Sequence, residues 1–219
     1  MAPRLLDMSL GEPDPTTLLL VAKHLKAGGL VAMPTETVYG FGCVSEGPPL
    51  RQLQRLKGRG SEKPFLLLIP GVESVPELDW IPGARELAQV FWPGALTLIL
   101  ADPSGSFPPG IRNPEGGVAI RVSPHPVAGA VVKTLGRPLV STSANPPGGV
   151  PALTATKAAE VAEALGAGEN LWVLDGGPLP PSDPSTIIDC TKSRLLVRRA
   201  GSIPVNRIKC VLPEIHEPS

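Results

Sequence analysis

Short aliphatic runs recur along this chain, and each is cut off by glycine, proline or a polar turn. Leu30-Val31-Ala32-Met33, Phe65-Leu66-Leu67-Leu68-Ile69 and the runs at 96–100, 118–122 and 171–174 suit buried strands. They are too short for helices, which need about ten residues or more. Segments of helical period lie between them. Alternation of this kind predicts an α/β fold: an open, twisted mixed sheet with helices packed on it. The 28 prolines and 24 glycines approach a low-complexity composition. Because the aliphatic runs span the whole chain, they read instead as many fixed turns between short elements.

The helices have recognisable ends. Asp14-Pro15 reads as a cap and a first-turn proline, Leu18, Val21, Ala22 and Leu25 share one face, and Gly28-Gly29 closes the helix. Further helices are expected at 50–57, stopped by Gly58, and at 84–91, 126–135 and 154–165, the last capped by Thr154. Strands are expected at 138–140, 186–188 and 195–198 as well. Neither an internal repeat nor a linker between two domains is visible. One domain over residues 1–205 with a tail at 206–219 follows.

Twenty basic and twenty acidic side chains cancel, which disfavours broad electrostatic capture of nucleic acid and leaves room for a local basic groove. Aromatics are 4% of the chain, so the core should be aliphatic. Cys43, Cys190 and Cys210 are odd in number and far apart, as reduced thiols of a cytoplasmic protein would be. Neither a signal peptide nor a membrane-spanning run is read in the sequence.

Four stretches carry polar chemistry beside apolar runs: Pro34-Thr35-Glu36-Thr37-Val38-Tyr39-Gly40, Lys57-Gly58-Arg59-Gly60-Ser61-Glu62-Lys63-Pro64, Ser141-Thr142-Ser143-Ala144-Asn145 and Ser185-Thr186-Ile187-Ile188-Asp189. The first three each have a plain structural reading and a functional one. Lys57 in a last helical turn would favour the negative end of the dipole. Arg59 and Lys63 continue past the helix into a buried run, where a sheet-end loop presents cations to phosphate oxygens. Thr35 and Thr37 suit a strand edge or turn, or offer hydroxyls to a small polar ligand. Ser141, Ser143 and Asn145 suit side-chain capping of a turn after a strand ends at Val140, or a ligand site at a strand end. Arg121 interrupts an apolar strand, where it is either paired or set to bind a carboxylate. Arg198 and Arg199 are adjacent and point to opposite faces, so at most one serves a shared site.

Phosphate-loop, dinucleotide and nucleophile-elbow motifs are absent, and no Cys/His set has zinc spacing. A Ser-His-Asp hydrolase and an enzyme with protein-held zinc are both poorly supported.

Taken in order and at these distances, the four stretches resemble the YrdC-type threonylcarbamoyl-AMP synthases. The resemblance runs from about Leu10 to Ile203 and includes Trp92-Pro93-Gly94-Ala95-Leu96-Thr97 and Arg199-Ala200-Gly201. It implies synthesis of threonylcarbamoyl-adenylate and pyrophosphate from L-threonine, bicarbonate or CO2, and ATP with Mg²⁺, the metal arriving with the nucleotide rather than on protein ligands. A downstream threonylcarbamoyl transferase complex would then modify adenosine 37 of tRNA. By position, Lys57 and Arg59 would be the catalytic cations. Lys57, Arg59, Lys63, Ser141, Ser143, Asn145 and Arg199 would hold ATP, and Thr35, Arg121 and Ser185 would bind threonine, all in a concave basic groove.

Two positions depart from the family pattern. Leu68 stands where many members have histidine, and Asn145 is followed by Pro146-Pro147-Gly148, which stiffens that loop. The length resembles the single-domain members. The residues also leave open a double-stranded RNA or tRNA-binding module, and a related carbamoyl-adenylate enzyme with another acceptor.

Overall fold

The computed structural model describes residues 3–9, 13–60 and 63–217. Leu10, where the resemblance begins, and Ser61 and Glu62 of the basic stretch lie outside the described residues. In chain order the elements are β1 (Arg4–Asp7), α1 (Pro15–Lys26), β2 (Leu30–Pro34), β3 (Tyr39–Val44), α2 (Gly47–Leu56), β4 (Leu66–Leu68), α3 (Pro82–Phe91), β5 (Leu96–Ala101), β6 (Gly117–Arg121), α4 (Pro126–Leu135), β7 (Leu139–Ser143), α5 (Ala155–Ala164), β8 (Leu171–Asp175), β9 (Thr186–Asp189), β10 (Leu196–Arg199) and α6 (Val205–Lys209).

All ten strands join one open sheet in the order β1-β8-β2-β3-β7-β4-β6-β5-β9-β10. Pairs β1/β8, β2/β8, β4/β6 and β5/β9 are parallel and the remaining neighbours antiparallel, so the sheet is mixed, as expected. Helix α1 starts as the sequence predicts, with the Asp14 carboxylate accepting from Thr17 N at 2.8 Å, Pro15 at the first turn, and Lys23, His24 and Lys26 in the last.

Side-chain alternation along the strands separates two cores. On one face Leu96, Leu98, Leu100, Val118, Ile120 and Val140 pack with the apolar sides of α2, α3 and α5. On the other, α1 and α4 cover Val31, Met33, Leu68 and Leu139. Fully burying each such aliphatic side chain contributes roughly 1.5–3 kcal/mol. Both cores are mainly aliphatic, with Tyr39, Phe41 and Phe65 the largest fully buried side chains. Helices α1 and α4 cover only part of the second face. Beside them that face carries Thr97, Ala119, Arg121, Ser141 and Ser143, out of step with their apolar neighbours.

Two expectations need correction, and one strand had no assignment. Ser141-Thr142-Ser143 is not a turn: β7 continues through Ser143, paired with β3 on one side, where Ser141 opposes Gly42 and Ser143 opposes Gly40. On the other side Ser141 opposes Leu66 of β4. The hydroxyls mark a strand face that lines a cavity. The stretch at 39–44, unassigned in the sequence, is strand β3. Residues 206–217, expected as a tail, are packed: Ile208 and Ile215 are buried, and the strand edge at β10 is extended when Val197 N donates to His216 O (2.8 Å) and His216 N to Leu195 O (3.1 Å).

Candidate active site

The uncovered part of the second face is the floor of a cavity of about 730 Å³. Its walls are the β2–β3 turn, the loop after α2, the loop after β7 and a strap at 178–185. Arg59, Arg121 and Arg199 line it, and among the described residues no aspartate or glutamate does. The cavity is therefore concave and basic inside a chain with no net charge.

The β2–β3 turn is shaped by Thr35. Its hydroxyl donates to Val38 O (2.8 Å) and accepts from Thr37 N and Val38 N (3.3 Å each). Thr35 thus satisfies the structural reading and also faces the cavity. The strap is tied to this turn, with Ser182 Oγ donating to Thr37 O (3.1 Å) and Tyr39 Oη to Gly177 O (2.7 Å). At its other end Arg199 donates to the Ser185 carbonyl from Nε (3.1 Å) and Nη2 (2.9 Å), and Ser185 Oγ lies 2.9 Å from Thr97 Oγ1. Arg198, by contrast, turns away and binds Asp189 through Nε and Nη2 (2.9 and 2.6 Å). One of the adjacent arginines reaches the cavity, as alternation requires.

Arg59 lies over the Phe65 ring, 5.4 Å from its centroid, and partial burial holds its pKa below the usual arginine value. Arg121 is almost fully buried. Burial lowers its pKa, the charge of Glu36 opposes this, and that of Arg199 adds to it.

Lys57 is placed differently from the expectation. It is buried and does not line the cavity. Its ammonium donates to Ser143 O (2.8 Å), Asn145 O (2.6 Å) and Asn145 Oδ1 (2.8 Å), which occupies all three of its protons. Burial, and secondarily the charge of Arg59, bring its pKa down to about 8. Asn145 is equally committed, accepting from Ser143 Oγ (2.6 Å) and donating to Gly149 O (2.7 Å). Lys57 and Asn145 therefore fix the loop after β7 from behind, and Lys63 is exposed and off the cavity wall. Thr35, Arg59, Arg121, Ser141, Ser143, Ser185 and Arg199 all reach the wall. Leu68 sits in the core beneath α4, opposite Arg121 in register.

Two residues escaped the sequence reading. Thr97 is the lone polar side chain in an otherwise aliphatic strand, which alternation alone flags. Glu36 had only its place within a polar stretch. Among the described residues, no group of three or more His, Cys, Asp or Glu side chains is placed to hold a metal ion. No described helix is long and apolar enough to cross a membrane.

A family model described as Sua5_yciO_yrdC, telomere recombination, matches residues 23–201. The chain belongs to the Sua5/YciO/YrdC family. Among its relatives, the threonylcarbamoyl-AMP synthase of Bacillus subtilis is 32% identical over 213 residues, which cover 96% of this chain and 60% of that protein. The threonylcarbamoyl-AMP synthase of Thiobacillus denitrificans is 36% identical, covering 79% of this chain and 90% of that one. The crystal structure of Pyrococcus abyssi Sua5 complexed with L-threonine superposes with a TM-score of 0.86 at 30% identity, over 100% of this chain and 63% of that one. The chain thus spans about three fifths of the longer relatives, and its Sua5/YciO/YrdC domain carries the whole cavity.

Proposed function

We propose that this chain is a threonylcarbamoyl-AMP synthase. It joins L-threonine, CO2 or bicarbonate, and ATP into threonylcarbamoyl-adenylate and releases pyrophosphate, a nucleotidyl transfer. The observation that carries this reading is the buried Arg121 guanidinium, set in the floor of a cavity that holds two more arginines and a row of hydroxyls and, among the described residues, no carboxylate. Such a wall suits a substrate carboxylate together with a polyphosphate. The names of the relatives support the same chemistry.

In this reaction the threonine amine, having lost a proton, adds to CO2 to give a carbamate. A carbamate oxygen then forms a bond to the α-phosphorus of ATP. The bond from that phosphorus to the α,β-bridging oxygen breaks, and its electrons leave with pyrophosphate. The reacting groups are anions, so the protein's work is alignment and charge neutralisation rather than proton transfer. Arg121 binds the threonine carboxylate, with Thr35 and Ser185 beside it. Arg59 and Arg199, with Ser141 and Ser143, hold the nucleotide phosphates. Lys57 and Asn145 keep the Ser143 loop in place. Mg²⁺ enters with the triphosphate and offsets its charge, which fits a wall whose described residues offer hydroxyls and no acidic ligand. The product passes to a threonylcarbamoyl transferase acting on adenosine 37 of tRNA, in the cytoplasm.

The test is pyrophosphate release from ATP by the purified chain. Release that requires both L-threonine and bicarbonate supports the reading. Release supported by carbamoyl phosphate without threonine overturns it in favour of a carbamoyl-adenylate enzyme with another acceptor. Salt-sensitive RNA binding with no turnover overturns it in favour of a nucleic-acid module.

A further inference from the structure

Glu36 sits behind the cavity wall, between β2 and β3, with its side chain 13% exposed. Its Oε1 lies 3.1 Å from Arg121 Nη1, close enough for charge pairing. The alignment is poor for a hydrogen bond, and Glu36 Oε1 and Arg121 Nε, both shielded from solvent, have no hydrogen-bond partner among the described residues. Glu36 is nevertheless held firmly. Its Oε2 accepts from Ser123 Oγ at 2.6 Å, and Ser123 Oγ in turn lies 3.2 Å from His125 N, at the start of α4. The carboxylate is anchored to a helix start and meets the guanidinium through one nitrogen.

A buried guanidinium with five donors normally takes well-aligned, often bidentate, carboxylate partners. Here the neighbouring carboxylate balances the charge without taking the donors. A buried cation with no counter-charge would be costly, and one with a saturating partner would have nothing left for a ligand. Among the described residues, neither Arg59 nor Arg199 has a carboxylate within salt-bridge distance. Among the described residues the cavity thus contains one charge-balanced arginine and two without a paired carboxylate. A balanced arginine suits a monoanionic carboxylate, and unbalanced ones suit polyanionic phosphate.

We propose that Glu36, anchored by Ser123, is a positioning residue that holds Arg121 as a carboxylate receptor and keeps phosphate off it. The proposal rests on the reading of Arg121 as the amino-acid end of the site. Glu36 touches no substrate and acts through the guanidinium.

The experiment compares L-threonine and Mg-ATP binding by calorimetry in wild type, Glu36→Gln, Ser123→Ala, Arg121→Lys and the Glu36→Gln/Arg121→Lys double variant, with melting temperature as a control. Glu36→Gln should raise the threonine Kd about ten-fold while leaving the ATP Kd within about two-fold. Ser123→Ala should shift threonine binding in the same direction by less. In the Arg121→Lys background the Glu36 change should add little, since the two residues act as a unit. Inorganic phosphate should compete only weakly with threonine in wild type and clearly in Glu36→Gln. A threonine Kd unchanged in both Glu36→Gln and Ser123→Ala overturns the proposal, as does equal weakening of threonine and ATP. Wild type that binds ATP but no L-threonine removes the underlying reading and the proposal together. Threonine binding by wild type, undiminished in the variants, removes the proposal alone.

Discussion

The ammonium of Lys57 is bonded to both oxygens of Asn145, the carbonyl at 2.6 Å and Oδ1 at 2.8 Å, and so ties the loop after α2 to the loop after β7. Two stretches 88 positions apart become one wall of the cavity. Lys57→Ala should loosen residues 143–149 and lower kcat/KM on the order of 10²-fold, the cost of a misplaced alignment. Loss of bonds from a charged donor should also cost roughly 1.5–3 kcal/mol of stability. Asn145→Ala should do much of the same, and the double variant should fall well short of the sum. Steady-state kinetics and denaturant titration of the four proteins check this.

The same ammonium predicts two opposite pH trends. Its pKa in the folded chain is about 8, against 10.5 for an ordinary lysine. The bonded, protonated form persists below about 8, and activity should decline as pH rises through that value. The unfolded chain holds the proton up to about 10.5, so between the two values it binds more protons than the folded chain. This group's contribution to stability therefore rises with pH across that window and is lost as pH falls through about 8. Activity falling while stability gains is the signature, and Lys57→Met should abolish both limbs. A pH–rate profile paired with melting curves at the same pH values reads it.

Much of this fold is legible in the sequence. Elements with period, cap and stop all present, such as α1, lie where their residues put them. Strand β3 was missed because Gly40 and Gly42 dilute its apolar signal. Gly42 is there for close packing: a Cβ at that position would lie 2.7 Å from Val140 O of β7. Strand β7 was cut short because polar residues in a buried strand look like a turn until the cavity they face is known. In the candidate site, residue type pointed to arginines and hydroxyls that line the cavity. It did not separate Arg59, which faces the cavity, from Lys57 two positions earlier, which faces the protein. That difference lies in where the acceptors of the β7 loop fall, a long-range relationship that local pattern does not encode.

Arg59 and Arg121 should separate by substrate. Arg121→Met should raise the KM for L-threonine, and Arg59→Met the KM for ATP, each with kcat/KM lower by roughly 10²–10³-fold if the lost donor also meets charge developing in the transition state. Varying one substrate while the other saturates distinguishes the two. Arg198→Met, which breaks the pair with Asp189 outside the cavity, should leave both KM values near wild type.

The strap offers the last test, through a residue with no side chain at all. Gly201 lies two residues after Arg199, so close to the strap that a Cβ there would sit 2.0 Å from Pro184 O and 2.8 Å from the Ser185 carbonyl carbon. Backbone cannot yield to a methyl group as a flexible side chain would. Gly201→Ala must therefore push 184–185 away from β10, at a cost typical of overpacking, about 1–3 kcal/mol. The displacement acts on the bonds that seat Ser185, namely Arg199 to its carbonyl and Thr97 to its hydroxyl. Threonine affinity should thus drop more than the modest loss of stability suggests. Thr97→Val, which removes one hydroxyl and keeps the side-chain shape, should weaken threonine binding by a smaller factor with little change in melting temperature. If Gly201→Ala melts early yet binds threonine as tightly as wild type, the strap does not position Ser185 for the substrate.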